Sequence, residues 1–210
     1  MSGSPLAAEG ALLLRLAGAG EASHDFVTGR RGSFRELVQG AARAAAQRRS
    51  IELVVLVTRP LVPELRSVAS LALGLGAGSV VFAWPSAADQ PWRVPRYELA
   101  APDLLVAAAA LQRRRRTVAF AGLPRCLLPV TAALVVAPVD DDGAAAPTYA
   151  PRCAGCSRRP DCAGIPGDYL ARFGDRELRP LAAPSAGAAP TAASPGNGSA
   201  AAPPRRPIAG

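Results

Sequence analysis

The chain has 210 residues, a mass of 21.4 kDa and a net charge of +8; half of its residues are hydrophobic and 5% are aromatic. That length suits one ordinary domain with a real core. No run of about 18 apolar residues points to a membrane span, and no charged flank followed by an apolar stretch points to a secretory leader, so a cytoplasmic protein is expected.

Residues 11–16 (ALLLRL) read as a short buried strand. A glycine-rich loop follows, carrying several turn signals. Ser33 is expected to open a helix through a capping box with Glu36, the helix running to about Arg49. Residues 51–58 (IELVVLVT) form a near-continuous β-branched and leucine run, which suits a strand covered on both faces. Pro63 suits a first helical position, with that helix reaching about Leu75 and Gly74, Gly76 and Gly78 supplying its terminal turn. Strands are predicted at 79–84 and 117–121, with a helix over 101–113 opened by Pro102 and Asp103. Strands alternating with helices across short connections predict parallel pairing with right-handed crossovers. The fold class is therefore α/β: a partial (β/α) barrel over 1–121, a cysteine-rich domain over 122–182, and a disordered Ala/Pro/Gly/Ser tail over 183–210.

All the cations are Arg, and there is no Lys. Arg113 to Arg116 follow an Ala/Leu helix, where cations suit the C-terminal dipole. The remaining arginines are scattered, so nucleic-acid binding through phosphate neutralisation is the weaker reading. His24 is the sole histidine and Asp25 follows it; the pair could serve acid–base chemistry or anchor the loop. Gly18-Ala19-Gly20 after a strand suggests a phosphate loop, but no GXGXXG or Walker sequence completes it. Asp140 to Asp142 form a carboxylate run that reads as a solvated turn. Trp84 and Trp92 flank a Pro-rich loop and could line a pocket; Tyr169 and Phe173, four residues apart, read as one face of a small helix.

Four cysteines remain: Cys126 in GLPRC, and Cys153, Cys156 and Cys162 in a CX2CX5C run. In a reducing compartment such clustering points to a metal. Four thiolates can close a zinc site or hold an iron–sulfur cluster. Zinc sites usually pair two CXXC knuckles. Here the second pair is split, which favours the cluster, with zinc as the alternative.

These segments resemble the C-terminal half of radical S-adenosylmethionine (radical SAM) proteins that carry an auxiliary cluster region of the SPASM/twitch kind. HDFVTGRRGSFRELVQGA (24–41) is similar to the loop and helix after the family's fourth barrel strand. IELVVLVTRPLVPEL (51–65) is similar to its fifth strand and following helix, and LALGLGAGSVVFAWP (71–85) to its sixth strand. GLPRCLLP (122–129) and CAGCSRRPDCAGIPGDYLARFGDRELRPL (153–181) are similar to the cluster region, the latter being the most specific match. The chain departs from the family in lacking the CX3CX2C loop of the S-adenosylmethionine-cleaving cluster. Leu61 stands where the family often has Asn, and Pro166 where a further SPASM cysteine would fall. The resemblance implies one auxiliary 4Fe–4S cluster held by Cys126, Cys153, Cys156 and Cys162. It also implies that S-adenosylmethionine chemistry on a peptide or small molecule needs a missing N-terminal half. Something would have to cover the strand edge at 11–16: that half, another chain, or a second copy. A non-catalytic scaffold using the cysteines as a zinc or iron–sulfur staple is the alternative.

Overall fold

The structure is a computed structural model that describes residues 10–85, 90–128, 135–136 and 147–182. The carboxylate run at Asp140 to Asp142 and the predicted tail from 183 lie outside these residues. In chain order the first elements are β1 (Leu12–Leu16), α1 (Glu21–Thr28), α2 (Ser33–Ala46), β2 (Ile51–Leu56) and α3 (Leu65–Gly74). They are followed by β3 (Ser79–Ala83), α4 (Tyr97–Arg113), β4 (Thr117–Ala121) and a two-residue β5 (Val135–Val136). The five strands pair in sequential order and every pairing is parallel. Leu14 stands opposite Leu53, Leu53 opposite Val80, and Val80 opposite Val118. Among the described residues, no helix is long and apolar enough to cross a membrane.

Sequential parallel strands joined by right-handed crossovers place every crossover helix on the same face of the sheet. The packing agrees. Leu16, Leu53, Val55, Val80, Phe82, Val118 and Phe120 bury against Leu37, Ala41, Val68, Leu104 and Leu111 of the helices in one continuous core. The alternate residues, Val54, Val81, Ala83, Ala119 and Ala121, make a separate and smaller cluster on the other face. This two-sided burial is why β2, β3 and β4 read as apolar runs rather than as alternating ones; β1, expected to be buried, alternates instead, with Leu13 and Arg15 exposed.

The helices differ from the sequence expectation in several places, each for a physical reason. The glycine-rich loop contains α1. At eight residues α1 is too short to display a helical period, and it is framed by extended Gly20 and left-handed Gly29 (φ 68°). A Cβ on Gly18 would lie 2.2 Å from the backbone nitrogen of His24, so only glycine lets the chain turn this tightly into α1. The capping box does not form. Gly32 is the N-cap of α2, and its cap comes from Asp25, which accepts from Phe34 N–H and Ser33 Oγ, both at 2.9 Å, and from Gly32 N–H. Glu36 pairs instead with Arg30. A 3₁₀ turn over Arg59–Glu64, which contains Pro60 and Pro63, delays α3 to Leu65.

Helix α4 starts four residues before 101 and carries Pro102 inside it. Its N-cap Arg96 supplies no side-chain cap. The first two N–H groups are satisfied from the cysteine segment instead. Tyr97 N–H donates to Tyr169 Oη at 2.9 Å, and Glu98 N–H donates to the Glu177 carboxylate at 3.3 Å. Tyr169 belongs to a small helix, α5 (Gly167–Phe173), and its hydroxyl donates to Glu177. Arg96 pairs with the same buried carboxylate at 3.3 Å. The Tyr169 ring stacks on Tyr97 at 4.0 Å, and Tyr97 in turn contacts Trp84 at 4.5 Å. A short antiparallel pair, β6 (Pro147–Thr148) with β7 (Ile165–Pro166), precedes α5. The main core extends through Leu123 and Leu128 to Ala150, Ile165 and Leu178, so the cysteine segment shares the hydrophobic core of the sheet.

Tyr169→Phe removes the hydroxyl that both accepts from Tyr97 and donates to Glu177, leaving two buried polar groups short of a partner. The expected loss is about 2 kcal/mol of unfolding free energy, read by equilibrium denaturation, against little change for exposed Arg172→Gln. An unchanged midpoint for Tyr169→Phe would remove this hydroxyl from the supports of the fold.

Candidate metal centre

The four cysteines are presented by short turns rather than by long elements. Cys126 lies in a 3₁₀ turn, Arg125–Leu127, directly after β4, where Leu127 N–H returns to Pro124 C=O at 3.1 Å. Cys153 lies in a second turn, Pro151–Gly155, and Cys156 is its C-cap. Cys162 closes a third turn, Arg159–Asp161. Pro151 and Pro160 stand at the openings of the second and third turns, where a fixed φ costs no helical bond. Successive turns reverse the chain every few residues, so residues nine apart in sequence come back to one place. Ser157 N–H, bonded to Leu181 C=O at 2.9 Å, pins the loop to the end of the described segment.

All four thiols are free, half-buried, and line one open cavity. Tyr149, Arg125, Arg159, Ile165 and Pro180 complete its wall. The structure thus brings together every cysteine singled out from the sequence, including Cys126, which is 27 or more positions from the others. The donors lining the cavity are soft sulfur, with no imidazole or carboxylate among them. Among the described residues, no three His, Cys, Asp or Glu side chains meet closely enough to hold a single metal ion.

Two backbone donors face the sulfurs. Arg125 N–H donates to Cys162 Sγ at 3.3 Å, and the N–H of Arg179 donates to Cys126. Burial pushes the Cys126 thiol above its ordinary value, and the three other cysteines push the same way, while the Arg179 bond opposes them. Sequence reading did not find Tyr149 or Arg159 as parts of this wall. The available signal was position alone: Tyr149 stands four residues before Cys153, and Arg159 lies inside the CX5C loop.

The other candidates resolve into structural roles. His24 is buried (3% exposed), and its Nδ1 accepts from Ala17 N–H at 3.2 Å. Asp25 caps α2, as described above, and those donors, Phe34 N–H first, hold its carboxyl below the usual carboxylate range. The two neighbours thus face different partners. The glycine loop is filled by the chain itself: the Glu64 carboxylate accepts from Ala19 N–H and from Ser23 Oγ, both at 2.7 Å. Trp84 is buried in the core, whereas Trp92 is exposed and makes an edge contact with Phe26. Tyr169 and Phe173 share α5 with their rings 4.7 Å apart. Arg113 ends α4, and Arg114 and Arg115 are exposed beyond it.

Comparison with protein-family models, with curated proteins and with solved structures returns no match. The thiol-lined cavity gathers all four cysteines of the chain in one place.

Burial lowers the His24 pKa below the ordinary 6.5, with Asp25 opposing weakly. The folded state therefore keeps the imidazole neutral, while the unfolded chain takes up a proton near that value. The stabilising contribution is complete above pH 6.5 and is lost as pH falls below it. Denaturation at pH 7.5 and at pH 5 is expected to show lower stability at pH 5, with a shallower pH dependence in His24→Gln. Equal pH dependence in the two proteins would rule out this imidazole as the cause.

Proposed function

We propose that Cys126, Cys153, Cys156 and Cys162 hold one 4Fe–4S cluster. We further propose that the chain is the cluster-bearing, C-terminal part of a radical SAM-type (β/α) barrel, dependent on an N-terminal half or partner for S-adenosylmethionine chemistry. The observation that carries this is the meeting of four cysteines from three turns around a single cavity.

The four cysteines that line the cavity match the ligand number of a 4Fe–4S cluster. Backbone N–H donors to Cys162 and Cys126 are the kind of outer contact that orients cluster ligands and tunes their potential. The sequential parallel sheet with its crossover helices on one face is compatible with part of a (β/α) barrel.

With four cysteines as ligands, no iron would be left open for a substrate. Bound there, the cluster would supply one-electron transfer, and the chain's own part would be to hold it, exclude water from its buried side and set its charge environment. Peptide or small-molecule modification would take place at the centre supplied by the partner half.

Anaerobic reconstitution with ferrous iron and sulfide is expected to load about four irons per chain and to give a paramagnetic signal on reduction with dithionite. Replacing any one of the four cysteines by Ala should cut iron content sharply in the folded protein. Uptake of zinc with no iron would replace this reading by a structural zinc site.

A further inference from the structure

We propose that Arg159 is the resident counter-cation of the four-thiol centre and that Tyr149 is the positioning residue that holds it there; this rests on reading the cysteines as a cluster site. Both residues line the cavity. The Arg159 guanidinium carbon lies 4.9 Å from the centre of the Tyr149 ring, a cation–π contact. The Tyr149 hydroxyl donates to the backbone carbonyl of Cys162 at 2.7 Å. The ring is thus anchored to one of the metal-binding residues and offers its face to the guanidinium.

The neighbouring arginines are used differently. Arg158 pairs with Asp161 and Arg152 with Asp175, each at 3.6 Å. No carboxylate among the described residues pairs with Arg159, whose one described side-chain contact is the Tyr149 ring. Its guanidinium is exposed at the cavity wall, where no described carboxylate neutralises it. Arginine suits this place better than lysine, because a planar guanidinium can stack on an aromatic face while its N–H groups stay directed outward.

The expected effect follows from charge. Four thiolates outweigh the positive charge of an iron–sulfide core, so the loaded centre is an anion, and it becomes more negative when it accepts one electron. A fixed cation at the cavity wall stabilises the reduced form more than the oxidised form and raises the reduction potential.

The test uses the full chain, reconstituted with iron and sulfide and titrated with dithionite, with the potential read by paramagnetic resonance and iron content measured first. Arg159→Gln is expected to shift the midpoint to a more negative value at unchanged iron content. Arg159→Lys, which keeps the charge but loses the stack, should shift it less and keeps the test readable if Arg159→Gln fails to load. Tyr149→Ala should shift it in the same direction, and adding it to Arg159→Gln should add little, since it acts through the same guanidinium. Arg158→Gln, whose charge is already paired, should shift it least. Full iron loading with an unmoved potential in Arg159→Gln overturns the inference alone. Failure of the wild-type chain to take up iron overturns the cluster reading and this inference with it.

Discussion

The buried hydrogen bonds between the cysteine segment and the start of α4 are the constraint on which the rest of this structure depends. A helix begins with N–H groups that have no partner inside it, and α4 has no local side-chain cap. Tyr169 and Glu177, more than seventy residues further along, supply what is missing. Because both are buried, the contact works in two directions: α4 cannot close its first turn without the cysteine segment, and the Glu177 carboxylate would be buried without Arg96 and the helix N–H beside it. The aromatic stack Trp84–Tyr97–Tyr169 extends the same junction toward the end of β3. The cavity that holds the thiols is therefore fixed to the sheet, and not hung from it on a linker.

Much of the sheet was legible because two-sided burial writes itself into the sequence as continuous apolar runs. Residues 51–56, 79–83 and 117–121 carry that signal without ambiguity. What was not legible depended on partners distant in sequence. A capping box of Ser33 and Glu36 is a local solution, yet Asp25 reaches over from the preceding helix and accepts from Gly32 N–H, Phe34 N–H and the Ser33 hydroxyl itself. The start of α4 was placed at Pro102 because proline favours a first turn; only the tertiary cap from Tyr169 and Glu177 lets the helix begin earlier. Helix α1 was hidden because its eight residues stand between glycines and carry little apolar period.

The cysteines show the reverse. Their chemistry was readable from residue type and spacing, and their meeting place follows from local turn geometry repeated three times. Short 3₁₀ turns opened by proline allow a CX2CX5C run to fold back on itself. Cys126 joins them from the turn after β4, shortly before Leu128, which belongs to the same core as Ile165 and Leu178. The wall around the thiols was less accessible to sequence reading, because Tyr149 and Arg159 carry no pattern of their own and gain meaning from the ring-to-guanidinium contact alone.

The glycine loop after β1 illustrates how a chain can settle a binding question internally. Its backbone N–H and serine hydroxyl are a natural receptor for an anion, and Glu64 delivers one from the 3₁₀ turn after β2. A tethered carboxylate presents itself at an effective concentration of about millimolar or above, whatever the surroundings contain. A free anion would have to outcompete a rival that never diffuses away. The loop therefore works as an internal latch: the contact joins the end of β1 to the start of α3, and its occupancy is set by the fold rather than by the solution.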